Sequence, residues 1–202
     1  MVTLAVLVLA TGVSRADDEL DDDDGFVPFK TWSMGIAAMG HGTRIGGRSE
    51  TGFGPSLELA HGRDRWQYFA EAGFATAGMQ PWTANAYDQR IDGRMARGGL
   101  GARWLARQFR PERSGGVELL LTSLLGLQRF YLGDTRLTRP EIALGVAIQG
   151  RVYRRPRLAF RLEARVLFTP NDAEDALVAC RGRCMDEAGS STGFMTGIGV
   201  AW

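Results

Sequence analysis

The chain of 202 residues is poor in several residue types on which other protein classes depend. Lys30 is its only lysine, and the formal net charge is +1. Since nucleic-acid-binding proteins normally present a basic face, we expect no nucleic-acid partner. Two cysteines and two histidines offer little material for a metal centre, so we expect neither a metal nor a cofactor. No run of about 18 apolar residues is present, which excludes a transmembrane helix.

The N-terminal residues are typical of an export signal. Residues 4–10 form an apolar run, and Ser14-Arg15-Ala16 has the small-x-small pattern of a cleavage site. No basic residue precedes the run, which departs from the usual signal. We expect cleavage after Ala16 and an acidic polar leader over 17–31, in which the four aspartates at 21–24 are typical of a solvated linker.

From Trp32 onward, apolar residues alternate with polar or small ones, which is the period of a β-strand with two different faces. Eight such segments can be marked, at 32–43, 52–62, 66–79, 93–107, 115–130, 140–153, 156–169 and 193–202. Most are long enough to cross a bilayer as tilted strands, which takes about 9–11 residues. The pattern predicts an all-β fold over 32–202, an eight-stranded antiparallel up-and-down barrel.

Alternation alone does not decide which face is outside, because a soluble lipocalin-like barrel places its apolar row inside. Here one row of each segment lacks charge through its middle, and the opposite row mixes small residues with Arg and Glu. The interior of an eight-stranded barrel has little room, so the small-plus-charged rows are expected inside. They predict an ion network of Glu58, Glu71, Arg97, Arg103, Glu118, Glu141, Arg151, Arg161, Glu163 and Arg165. A symmetric turn would place Arg103 directly opposite Glu118.

Aromatic residues gather near the segment ends, as in the interfacial girdles of membrane barrels. The expected girdle comprises Trp32, Trp66, Tyr68, Trp104, Phe130, Phe168 and Trp202. The connections are predicted to alternate in length, with longer ones at 44–51, 80–92, 131–139 and 170–192. Short turns at one end and longer loops at the other are typical of barrels in a bacterial outer membrane.

The pattern over 32–202 resembles the small outer-membrane β-barrel family, of the OmpA-type transmembrane domain. The resemblance rests on the eight segments and on the ending GFMTGIGVAW at 193–202, where Trp202 takes the place of the usual phenylalanine. It implies a Gram-negative source, contact with outer-membrane lipid and lipopolysaccharide, and recognition of the last strand by the barrel-assembly machinery. We expect a monomer.

Few residues point to chemistry. His41 is expected inside, where Ser56 or Thr43 could approach it, and His61 outside near a rim. Neither lies in a recognisable catalytic motif, so hydrogen bonding is the favoured role and no catalytic residue is predicted. Cys180 and Cys184 are expected to form a disulfide, which is natural in an exported protein.

These features favour a non-enzymatic outer-membrane barrel with a structural or surface-contact role. Its lumen would be plugged by Arg–Glu pairs, and its long outer loops would form the contact surface. Three alternatives stay open from the sequence: a narrow channel, a lipid-A-modifying barrel enzyme, and a soluble periplasmic lipocalin-like binder.

Overall fold

A computed structural model describes residues 27–29, 32–45, 48–80, 91–112, 115–132, 135–152, 158–171 and 189–202. Eight antiparallel strands form one closed barrel, in which each strand pairs with the next and β8 pairs with β1. The strands are β1 (Trp32–Ile45), β2 (Arg48–Arg63), β3 (Trp66–Gln80), β4 (Ile91–Glu112), β5 (Gly115–Leu132), β6 (Thr135–Val152), β7 (Ala159–Asn171) and β8 (Gly189–Ala201). The predicted all-β eight-stranded barrel is therefore confirmed. In the described part of the chain, no helix is long and apolar enough to span a membrane.

The two faces of the wall differ as the alternation predicts. Large apolar side chains point outward and are exposed, including Phe74 at 72% and Leu100 at 70%. The inward rows bury a mixture of apolar residues, small residues and charges. The core is thus a lumen rather than a layer between sheets, and it is more polar than the outer wall.

The predicted alternation in loop length holds for the third and seventh connections and is wrong for the first and fifth. β1 and β2 are separated only by residues 46–47, and β5 and β6 only by residues 133–134, where loops at 44–51 and 131–139 were expected. The polar residues of these stretches continue the strands, as when Tyr131 pairs with Arg136. Backbone pairing satisfies their N–H and C=O groups regardless of side-chain polarity. The longest connections are 81–90 and 172–188.

The register between β4 and β5 also differs from the expected symmetric hairpin. The ladder shifts between Leu105 and Arg107 and again between Phe109 and Glu112. Arg103 therefore lies opposite Thr122 rather than Glu118. Each shift adds an unpaired residue to β4, and such β-bulges cannot be read from alternation alone.

Residues 27–29 of the predicted leader lie at one mouth of the lumen, which the sequence did not indicate. The backbone N–H of Phe29 donates to the carbonyl of Asp64, in the turn between β2 and β3 (3.3 Å). The Phe29 side chain is only 5% exposed. It packs in a buried cluster with Leu105, Leu120 and Ala147. This segment therefore closes the end of the barrel at which the β2–β3 turn lies.

Candidate functional site in the lumen and on the outer wall

Eight charged residues form one continuous network in the centre of the lumen. Its members are Glu58, Glu71, Arg97, Arg103, Glu141, Arg161, Glu163 and Arg165. Arg103 donates to both carboxylate oxygens of Glu58, at 2.9 and 2.6 Å. Arg161 donates to the same carboxylate at 2.7 Å. Two guanidinium groups thus share one buried carboxylate, and this shared arrangement links β4 and β7 to β2.

Arg165 continues the network away from the end of the barrel that residues 27–29 occupy. It donates to Glu163 and to Glu71, both at 2.8 Å. Arg97 then joins Glu71 (3.5 Å) to Glu141 (2.6 Å). Four arginines and four glutamates give a sum of zero, and the side chains involved are at least nine-tenths buried. Because an unpaired buried charge is costly, this balance makes a charged interior compatible with folding.

Glu118 and Arg151 form a second, smaller cluster nearer the mouth that residues 27–29 occupy. Their side chains approach to 3.1 Å, and Gln108 and Gln149 each donate to the Glu118 carboxylate, at 3.0 and 2.9 Å. Structure and sequence therefore agree on which row faces inward, although Glu118 has Arg151 rather than Arg103 as its partner.

The N-terminal segment is bound to this second cluster through its backbone. Gln108 donates to the carbonyl of Val27 (2.7 Å) and accepts from its N–H (3.1 Å). Arg151 donates to the carbonyl of Pro28 (2.7 Å), and its guanidinium lies 4.9 Å from the centre of the Phe29 ring. Residues 27–29 are therefore held at this mouth of the lumen by hydrogen bonds as well as by burial.

Several lumen residues escaped the sequence prediction. Gln67 accepts from Arg103 (3.1 Å), Gln128 donates to Glu141, and Arg139 donates to Thr169 (3.1 Å). The amides lie on the inward rows but carry no charge by which the sequence pattern would identify them. Arg139 lies in the predicted connection 131–139, which the structure shows as strand at this position. The ring of Phe69 lies 3.8 Å from the Arg103 guanidinium, a contact for which periodicity gives no sign.

The lumen has little free space near this network. Two cavities there measure about 10 Å³ each, which is room for about one water molecule. Buried His41 and Ser56 both line one of them, as does Met195, whose sulfur contacts Arg97. The centre of the barrel is therefore a packed ionic core.

The other candidate residues are dispersed. His61 lies on the outer wall with its ring 4.7 Å from that of Trp32. Among the described residues, no group of three or more His, Cys, Asp or Glu side chains is arranged to hold a metal ion. Cys180 and Cys184 lie outside the described residues, and their pairing stays a prediction.

Aromatic side chains form a continuous band around part of one end of the barrel. Trp32, Trp66, Tyr68 and Trp104 are all exposed there, and the Trp66 ring lies 6.4 Å from Tyr68 and 6.5 Å from Trp104. Half-buried Trp202 lies at the same end, where its backbone pairs with Met34.

The remaining aromatic residues of the expected girdle lie elsewhere. Phe168 is exposed toward the opposite end of the wall. Phe130 does not belong to the girdle, because its side chain is fully buried in the lumen. It lies on the inward row of β5 together with Gln128. That row also carries apolar Leu120 and Leu124, so the residue types alone do not distinguish it from an outer row.

The β2–β3 ladder has one gap. Paired residues run to Thr51–Gly78 and resume at Ser56–Gly73, so residues 52–55 have no backbone partners on β3. Pro55 lacks an N–H, and the N–H of Phe53 donates instead to the Thr76 hydroxyl (3.2 Å).

Close approach of the two strands at this gap requires glycine. A Cβ on Gly52 would lie 1.8 Å from the Thr76 carbonyl oxygen, and one on Gly54 would lie 1.9 Å from that of Phe74. The chain therefore combines a break in pairing with an unusually close backbone contact.

An open groove of about 600 Å³ lies on the outer wall over this gap. Its lining includes Phe53, Pro55, Phe74, Arg94, Ala96 and Tyr131. Pro55 and Phe74 also line the small lumen cavity that contains His41. The wall is thus thin at this point, with the groove on one side and the ionic core on the other.

The barrel is similar to solved structures of small outer-membrane barrels. Neisserial surface protein A matches with a TM-score of 0.53 at 13% identity, over 85% of this chain and 96% of that one. Ail of Yersinia pestis matches at 15% identity with a TM-score of 0.35, over 85% and 97%. The N-terminal barrel of Pseudomonas aeruginosa OprF matches at 12% identity with a TM-score of 0.32, over 83% and 96%.

Sequence comparison adds no relative to these structures. No protein-family profile matches the chain, and no curated protein sequence does. The resemblance predicted from the strand pattern is therefore confirmed as a likeness of fold.

Proposed function

We propose that the chain is a non-enzymatic outer-membrane β-barrel with a structural or surface-contact role. The observation that carries this proposal is the inverted wall, which exposes rows of large apolar side chains and buries a network of charges. Soluble monomers rarely expose contiguous apolar patches larger than a few hundred Å². In hydrocarbon, by contrast, an apolar outer wall is required, and closure between β1 and β8 leaves no open sheet edge facing lipid.

The aromatic band and the longest connections support an orientation. The band containing Trp66 and Trp104 lies at the end where β1 begins and β8 ends, and suits the periplasmic interface. Connections 81–90 and 172–188 lie at the opposite end, which would face outward. They are the proposed contact surface.

The lumen argues against the alternative functions. A conducting channel needs a continuous aqueous path, whereas the centre is occupied by paired charges and one mouth by residues 27–29. A lipocalin-like binder needs an apolar interior, and this one is ionic. An acyl-chain substrate would not fit the cavity of about 10 Å³ that His41 and Ser56 line.

Cell fractionation with a folding assay tests the proposal. The protein should be recovered in the outer membrane and should shift in apparent size on a denaturing gel only after heating. Recovery in the soluble periplasmic fraction would overturn the proposal. Planar bilayers should show no discrete conductance steps, and incubation with lipid A should cause no mass change in that lipid. Discrete conductance steps would instead favour a channel, and a mass change in lipid A would instead favour a lipid-modifying enzyme.

A further inference from the structure

The groove over the β2–β3 gap has a floor and sides suited to an apolar chain. Exposed Phe53 and Phe74 line it together with the smaller side chains of Ala96 and Pro55. Its volume of about 600 Å³ lies within the range of ligand sites, roughly 300–1,000 Å³. The groove opens on the outer wall, and most of the residues that line it are apolar.

Three exposed arginines border one side of this groove. Arg94 lines the groove itself, Arg129 lies opposite Ala96 in the β4–β5 ladder, and Arg136 lies opposite Tyr131 in the β5–β6 ladder. All three are exposed on the outer wall. Arg94 and Arg136 both pair with Tyr131, one on each side of it, and Arg129 lies on the same face of β5 two residues before Tyr131. The three side chains therefore start from positions around one tyrosine, and arginine is long enough for their guanidinium groups to reach one ligand.

The lining of the groove, as far as the structure describes it, includes a cation, Arg94, and no carboxylate. The Arg129 guanidinium lies 5.7 Å from the centre of the Tyr131 ring, which directs it toward the groove lining. Arginine offers a planar fork of donors that matches phosphate oxygens in a bidentate manner. The site therefore combines an apolar slot with a phosphate-binding edge.

We infer that this groove binds one acyl chain of a phosphorylated glycolipid of the lipid A class, whose phosphate is held by Arg94, Arg129 and Arg136. The choice of a glycolipid rests on the proposed function, because the groove lies toward the end of the barrel opposite the start of β1 and the end of β8. In the proposed orientation that end meets the outer leaflet, where such lipids reside. The gap at Pro55 shapes the slot, and the arginines select the headgroup.

Lipid retention by the full-length protein tests the inference. The purified barrel is reconstituted in nanodiscs containing lipid A, dephosphorylated lipid A or phosphatidylglycerol, and the lipid retained through detergent exchange is quantified by mass spectrometry. Wild type should retain lipid A about tenfold better than dephosphorylated lipid A, which offers no phosphate to the arginines, since loss of charge-assisted hydrogen bonds of this kind costs at least that factor. It should also retain lipid A better than phosphatidylglycerol, whose single phosphodiester carries less charge than the phosphomonoesters of lipid A. The triple variant R94A/R129A/R136A should lose this preference, and Ala96→Trp should reduce retention by filling the slot.

A matched control uses arginines at the other end of the wall. Arg107 lies 5.0 Å from the Phe109 ring, much as Arg129 lies near Tyr131. The variant R63A/R65A/R107A removes the same charge and should retain lipid A like wild type. Equal retention by both triple variants overturns the inference, as does equal retention of phosphatidylglycerol and lipid A by wild type. If the first triple variant fails to fold, the Ala96→Trp variant and the wild-type lipid series still decide. A preserved heat-dependent gel shift in these variants would show that the barrel assignment survives even if lipid selectivity does not.

Discussion

Removal of the Arg103 guanidinium is the most incisive test of the ionic core. Arg103 is fully buried and contacts Glu58, Glu163 and Gln67 at 2.6 to 3.4 Å. Arg103→Met keeps much of the side-chain volume but changes the charge sum of the network from zero to −1. Glu58 then keeps Arg161 as its partner but loses both hydrogen bonds from Arg103. Removing one partner of a buried ion pair costs about 3–5 kcal/mol. Because Arg161 remains, we expect the lower end, about 3 kcal/mol.

The double variant E58Q/R103M separates the ion pair from general packing. It removes both charges, so the network sum returns to zero and the loss should be smaller than the sum of the two single losses. The free energy of unfolding is measured by urea titration in detergent micelles, with tryptophan fluorescence as the signal. Arg107→Met, an exposed arginine on the same strand, should change stability by less than about 0.5 kcal/mol. A loss below about 1 kcal/mol for Arg103→Met, or strict additivity in the double variant, would refute the role assigned to the network.

Three further predictions concern residues 27–29, the glycines and the outer wall. Phe29→Ala should lower the free energy of unfolding by about 3 kcal/mol by emptying the cluster with Leu105 and Leu120; an unchanged urea midpoint would contradict burial of this ring. Gly101→Ala should cost about 1–3 kcal/mol, because its Cβ would lie 2.3 Å from the Phe69 ring, whereas Gly98→Ala, with its nearest contact at 3.6 Å, should be nearly neutral. Leu100→Arg should cost about 2–4 kcal/mol when folding is measured in lipid bilayers, and a neutral effect there would count against a membrane-facing wall.

The architecture was readable from the sequence because one physical rule repeats in every strand. A side-chain period of two, with small and charged residues on one row, identifies the inner face of a narrow barrel wherever it occurs. Arg97, Arg161 and Arg165 could be assigned to the lumen in this way without any knowledge of their partners. The outer rows around Leu100 and Leu125 followed from the same parity.

The ion-pair partners within the lumen were harder to predict from the sequence than the inward rows themselves. Glu58 meets Arg103 and Arg161, which lie on two strands distant in sequence, and only the tilt and stagger of the closed barrel bring them together. The bulges after Leu105 shift the β4–β5 register by steps that alternation does not report. The sequence predicts a solvated leader at residues 27–29 because the acidic run before them dominates the local composition. The groove at Pro55 depends on missing backbone pairs, for which the sequence offers only a proline and two neighbouring glycines.

The seam between β1 and β8 has a consequence for biogenesis. Gly35 pairs with Ala201, so the first strand lacks one neighbour until the last strand arrives. Contacts so distant in sequence form slowly, and the barrel cannot close while the chain is still emerging from a ribosome or a translocon. In the proposed location, the polypeptide crosses the inner membrane and the periplasm unfolded. Its apolar residues are spread at every second position rather than gathered in runs of about 20, so no segment would be retained as a helix on the way. The alternation that shapes the finished wall therefore also allows the unfolded chain to pass through the inner membrane without being retained there.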